Sequence, residues 1–175
     1  KNIKFLKQIT TQDYESFLKL PPMIPFSEEI TDYLNALSKE INKDSRIQKF
    51  PDVRTFSFFC RKANLLLLKK KYHDRSITKL GRGLVFHIAP SNVPVNFAFS
   101  LMISLLSGNS NIVRVPSKKF DQTEIILNAI NKLAQVSQYS NISNRIILVS
   151  YDRNSDATKE FSRDCDVRII WGGDE

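Results

Sequence analysis

The sequence predicts an α/β fold: a Rossmann-like parallel sheet with helices on both faces, preceded by a helical N-terminal segment. Three observations carry this expectation. Strand-like and helix-like stretches alternate from Gly81 onward, the pattern of βαβ units. The strand-like runs, LVFHI, NIVRV, RIILV and VRIIW, are short and almost wholly apolar, as in parallel strands covered on both faces. The first eighty residues instead carry helical periodicity. The expected division is therefore 1–80 for a mainly helical segment packing on the sheet, and 81–175 for the sheet domain.

Pro21, Pro22 and Pro25 make a rigid entry, after which Ser27 is placed to cap a helix with Ile30, Leu34, Leu37 and Ile41 on one face. Pro51-Asp52 starts a second helix, with Phe56, Phe59, Ala63, Leu66 and Leu67 at helical spacing, ending in Lys69-Lys70-Lys71. Phe56, Phe58, Phe59 and Cys60 read as helix packing. Leu84 to Ile88 is the first sheet strand, and His87 inside it reads as a core or supporting residue rather than a general base. Val93 to Ser107 is apolar nearly all round, which predicts a helix buried on several sides and ended by Gly108. Asn111 to Val115 is the next strand. Asp121 and Glu124 form an acidic variant of the capping box before Ile125, Ile126, Ala129, Ile130 and Leu133. Arg145–Val149, Ser155–Ser162 and Val167–Trp171 complete the alternation as strand, helix and strand.

With 175 residues, 42% hydrophobic and 25% charged, the chain has the composition of a globular protein with a real core. Its net charge of +8 raises the question of nucleic acid. The basic residues are dispersed, however, and the lysine run falls at a helix end, where cations complement the helix dipole. No nucleic-acid partner is therefore expected. Cys60 and Cys165 form no CxxC pair and read as free thiols of a reducing compartment. The N-terminus lacks the apolar core of a signal peptide. The longest apolar run, Val93 to Leu106, carries Asn96, Ser100 and Ser104 and is too short to span a bilayer. The expectation is a cytoplasmic protein with no membrane span and no metal site. The ending WGGDE falls where the next helix of such a unit should begin, so the chain is expected to be a fragment.

Right-handed crossovers place all strand C-termini on one edge, where ligands of open α/β sheets bind. Ala89-Pro90-Ser91-Asn92-Val93-Pro94 follows the first strand. Asn92 there is either a helix cap or an amide donor to negative charge developing on a carbonyl oxygen. Pro116-Ser117-Lys118-Lys119 follows the second strand. Its lysines are either solvated loop residues or partners for a phosphate on a ribose. Gly172-Gly173-Asp174 follows the fourth, as an ordinary turn or as one suited to close approach of a pyrophosphate. The GxGxxG fingerprint is absent, since Gly81-Arg82-Gly83 precedes its strand rather than following it.

Three segments, PDVRTFSFFCRKAN, GRGLVFHIAPSNVPVNFAFSLMISLLSGNSNIVRVPSK and DVRIIWGGDE, together resemble the N-terminal half of an acyl-CoA reductase of the bacterial bioluminescence type (LuxC-like), within the aldehyde dehydrogenase superfamily. Asn92-Val93-Pro94 resembles that superfamily's Asn-aromatic-Pro signature, with Val in place of the aromatic, so Asn92 matches its oxyanion-stabilising Asn. Val115-Pro116-Ser117-Lys118 matches a Lys-Pro-Ser-Glu pattern; the cation at Lys118 in place of Glu suits a 2′-phosphate, and the resemblance likewise implies NADPH. Trp171-Gly172-Gly173-Asp174 looks like the aromatic-Thr-Gly-Ser turn, although Asp stands where Ser is usual. The implied cofactor contacts are Pro90, Ser91, Pro116, Ser117, Lys118, Gly172 and Gly173. The implied reaction reduces a fatty acyl thioester, carried on CoA or on protein, to an aldehyde through a thioester on a Cys. That Cys lies in the family's other large domain, and neither Cys60 nor Cys165 matches it. This chain alone is thus expected to be inactive. The resemblance further implies an acyl-protein synthetase partner and a homo-oligomer for the full-length protein. An NAD(P)-dependent aldehyde dehydrogenase fragment and a non-catalytic basic binding module are the alternatives.

Overall fold

A computed structural model describes residues 3–6, 11–72, 76–152 and 155–172. The chain opens with a two-residue strand β1 (Lys4–Phe5) and helix α1 (Thr11–Leu18). Helix α2 (Glu28–Ile41) buries Ile30, Leu34, Leu37 and Ile41, the face expected from their spacing. A 3-10 turn (Ser45–Lys49) leads to α3 (Pro51–Phe59) and α4 (Lys62–Tyr72). The alternating part follows as β2 (Leu84–Ile88), α5 (Asn96–Leu106), β3 (Ser110–Arg114), α6 (Asp121–Leu133), α7 (Ser140–Ser143), β4 (Ile146–Ser150), α8 (Ala157–Asp164) and β5 (Val167–Ile170).

The strands pair in the order β1-β4-β3-β2-β5, parallel from β4 to β5. Strand β1 joins β4 antiparallel, so the N-terminal segment supplies an edge of the sheet as well as helices. One core lies between the sheet and α2, α3, α5 and α6, and includes Tyr33, Phe56, Phe97, Leu105 and Ile125. The other lies against α1 and α8, around Phe17, Phe86, Ile112 and Phe161. This is the α/β fold with both sheet faces covered.

Four local expectations are corrected. Residues 51–71 are not one helix. The chain breaks at Cys60-Arg61, and α4 restarts where the Asn35 side chain of α2 accepts from the Lys62 N–H at 3.0 Å. The break resets the helical phase, so Leu65 is buried while Phe59, Leu66 and Leu67 are exposed. The Asp121/Glu124 capping box does not form. Phe120 occupies the cap position without a side-chain bond, and Glu124 instead meets Arg46 at 3.3 Å. Ser27 holds the cap position of α2, but its hydroxyl makes no cap bond. Asn92 is no cap either, because α5 begins at Asn96 with Val95 before it.

The N-terminal edge of the sheet is locked by backbone. The Met23 N–H donates to the Gly108 carbonyl at 2.8 Å, and the Gly81 N–H donates to the Met23 carbonyl at 3.0 Å. Gly108 ends α5 as expected, in the left-handed region at φ +86°, and a Cβ there would run into the Met23 carbonyl oxygen.

Candidate functional site

The strand order reverses between β2 and β5: the chain first steps from β2 outward through β3 to β4, then returns to the other side of β2. The crevice at the C-terminal ends of these strands is where open α/β sheets take ligands. Parallel register puts Ile88 beside both Arg114 and Ile170, so the segments starting at Ala89, Val115 and Trp171 leave the sheet side by side.

These segments are fastened to one another. The Thr123 hydroxyl of α6 donates to the Pro94 carbonyl at 2.9 Å, tying the loop after β2 to the helix after β3. The Val115 N–H donates to Val149 at 2.8 Å. The Trp171 N–H donates to the Ile88 carbonyl at 3.0 Å, and its indole N–H donates to the Ser100 hydroxyl at 2.9 Å.

The structure therefore brings Pro90, Ser91, Asn92, Pro116, Ser117, Lys118 and Gly172 to one sheet edge. Pro90 is half-buried, Ser91 and Asn92 are exposed in a turn, and Pro116 is buried beneath exposed Ser117 and Lys118. The Lys118 ammonium lies 5.2 Å from the centre of the Phe120 ring. It forms no ion pair among the described residues. A Cβ built on Gly172 meets nothing within 4 Å, so the space before it is open. Gly173 and Asp174 lie outside the described residues.

Behind this edge sits a group of residues whose connection the sequence did not reveal. His87 is buried, with Nδ1 2.7 Å from the Ser100 hydroxyl and Nε2 3.0 Å from the Asn111 side-chain oxygen. Burial pushes its pKa down to about 4, so the ring is neutral at pH 7. A neutral, enclosed ring is a supporting residue, as expected. On the other face of the sheet, the Arg114 guanidinium stacks 4.8 Å from the centre of the Tyr151 ring and bonds the Tyr151 carbonyl at 3.3 Å.

The cysteines have the wrong environment for a nucleophile. Cys60 is buried and its thiol is pushed far up by desolvation. Cys165 is half-buried and raised for the same reason. A thiol held protonated is inert. Among the described residues no cluster of His, Cys, Asp and Glu could hold a metal ion, and no helix is long and apolar enough to cross a membrane.

No curated protein matches the chain. The family model described as "Acyl-CoA reductase (LuxC)" matches residues 6–175. That match spans every element described above except β1, from α1 to the Trp171 turn. The chain belongs to the acyl-CoA reductase (LuxC) family, oxidoreductases that act on acyl thioesters.

Proposed function

We propose that this chain is the NADP-binding portion of a reductase that converts fatty acyl thioesters to aldehydes. The nucleophilic Cys is supplied by sequence outside these 175 residues. The observation that carries the reading is the convergence of three strand-end segments on the β2–β5 crevice, with Lys118, which forms no ion pair among the described residues, at its β3 side.

The residues present fit a dinucleotide. An exposed hydroxyl and ammonium at Ser117 and Lys118 suit a ribose bearing a 2′-phosphate. Among the described residues, the first turn of α5 carries no side-chain cap and the buried Asn96 amide oxygen has no partner. Open space before Gly172 admits close approach of backbone to ligand. When bound, NADPH supplies the hydride. This chain orients it: Pro90 and Pro116 stiffen the loops, Ser91 and Ser117 offer hydroxyls, and Lys118 selects the phosphate. Gly172 leaves room for the pyrophosphate or nicotinamide, and Gly173 is the neighbouring contact that the family resemblance implies. Asn92, whose amide is exposed and makes no side-chain bond among the described residues, donates to the oxygen of the reacting carbonyl as negative charge develops on it.

The same reading takes residues 81–175 as the cofactor domain and 1–80 as a segment packed on it. It also takes the protein as cytoplasmic, with acyl-CoA or acyl-protein as substrate, an acyl-protein synthetase as partner and a homo-oligomer as the full-length state. Titration of the chain with NADPH and NADH tests the core of it. NADPH should bind more tightly, and Lys118→Glu should weaken NADPH by about tenfold or more while changing NADH little. That factor is expected for losing one charge-assisted bond to phosphate. Equal losses for both cofactors would remove Lys118 from the 2′-phosphate site.

A further inference from the structure

We propose that Ser100 and His87 are positioning residues. A buried hydrogen-bond relay through them holds Trp171, and with it the turn at Gly172, against the β2–β5 crevice. The second half of this inference rests on that crevice being the cofactor site.

The relay has one self-consistent direction. Asn111 of β3 is fully buried, and its amide N–H₂ donates to the Asn109 carbonyl at 3.0 Å. This turns its oxygen toward His87 Nε2, 3.0 Å away. Only an N–H satisfies that oxygen, so the imidazole proton sits on Nε2 and Nδ1 is a bare acceptor. The Ser100 hydroxyl, 2.7 Å from Nδ1, therefore donates to it. Its lone pairs are left to receive the Trp171 indole N–H at 2.9 Å. Every donor has an acceptor, and reversing any member leaves a buried polar group unmatched. Burial keeps His87 neutral at pH 7, so the direction does not change under physiological conditions.

Trp171 is held at two points, by its indole through Ser100 and by its backbone N–H on Ile88. A side chain that is 43% exposed gains little fixity from packing alone. The hydrogen bond to Ser100 is what orients the ring, and the ring's backbone leads directly into Gly172. Ser100 and His87 thus act on the crevice through Trp171 rather than by touching a ligand.

Trp171 is the single tryptophan of the chain, so its emission reports the relay without any cofactor. Ser100→Ala removes one hydroxyl and little volume. It should shift Trp171 emission to the red, increase quenching by acrylamide and weaken NADPH by about fivefold, the factor a hydrogen bond of ordinary net strength supports. His87→Leu should do the same. His87→Asn places an amide oxygen near the position of Nδ1, returns an acceptor to Ser100, and should restore both emission and affinity toward wild type. Far-UV circular dichroism on each variant confirms the fold. Wild-type emission in Ser100→Ala would overturn the relay. A shifted emission with unchanged NADPH affinity would overturn its role at the crevice. A wild-type chain that binds no nicotinamide would overturn the cofactor reading instead, and emission alone would then decide the relay.

Discussion

His87 makes the folded state sensitive to mild acid in a way that can be worked out from its surroundings. Desolvation lowers its pKa from 6.5 to about 4 in the folded protein, despite the opposing effect of the bond to Asn111. Between those values the unfolded chain binds a proton that the folded chain does not. Stability is therefore complete above about pH 7 and falls as the pH drops through 6.5 toward 4. The full difference corresponds to about 3 kcal/mol, with a slope approaching 1.4 kcal/mol per pH unit. Protonation also places a second donor on Ser100, whose own proton then loses its acceptor. Denaturant unfolding followed by circular dichroism at pH 8, 6.5, 5.5 and 5 measures the slope. Replacing the other histidine, His73, by Gln in every chain assigns that slope to His87 alone. His87→Asn has no titrating group there and should be less stable at pH 8 but flat down to pH 5. The ion-paired Glu40 and Asp44 do not mimic this window, because both are held below their ordinary values and titrate in stronger acid. Equal slopes in the two chains would refute the argument.

Two further outcomes follow from the same geometry. Asn92→Ala in the intact enzyme should lower turnover by about a hundredfold, the usual effect of losing one oxyanion donor, while NADPH affinity stays within about twofold; near-normal turnover in steady-state kinetics would deny Asn92 that role. Gly108→Ala should destabilise the chain by roughly 2 kcal/mol or more in denaturant unfolding, since it combines φ +86° with a Cβ driven into the Met23 carbonyl.

The strands were legible because a strand buried on both faces needs a short apolar run, and LVFHI and its counterparts have no other plausible use. Their observed bounds fall within about one residue of those expected. What was not legible depended on residues distant in sequence. The break between α3 and α4 is set where Asn35, from another helix, accepts from Lys62. The expected cap at Asp121 gives way because Glu124 has Arg46 as a partner across the fold. Strand β1 spans only Lys4–Phe5, too short for any periodicity, and exists because the edge of β4 accepts it. At the site, Pro116-Ser117-Lys118 and Ala89 to Pro94 could be assigned to one edge from topology alone. That Asn92 is no cap of α5 required the start of that helix, which local propensity put three residues early.

The polar residues inside the apolar runs carried information that spacing could not decode. Ser100, Ser104, His87 and Asn111 each interrupt a buried segment, and an unpaired polar group in such a place is costly. The structure resolves that cost by pairing the interruptions with one another. At the N-terminal edge the Asn109 amide donates to Ser104 at 3.3 Å, and its oxygen accepts from the Arg82 N–H at 2.6 Å. At the C-terminal edge Ser100 and His87 hold Trp171. The β2–α5–β3 unit is thereby fastened at both ends of the sheet. A reductase must keep hydride donor and carbonyl within a narrow range of positions, and a unit fixed at both edges can hold the loop at Asn92 and the turn at Gly172 in constant relation. The single serine in the middle of α5 that reaches Trp171 is therefore the residue whose loss should separate stability from alignment.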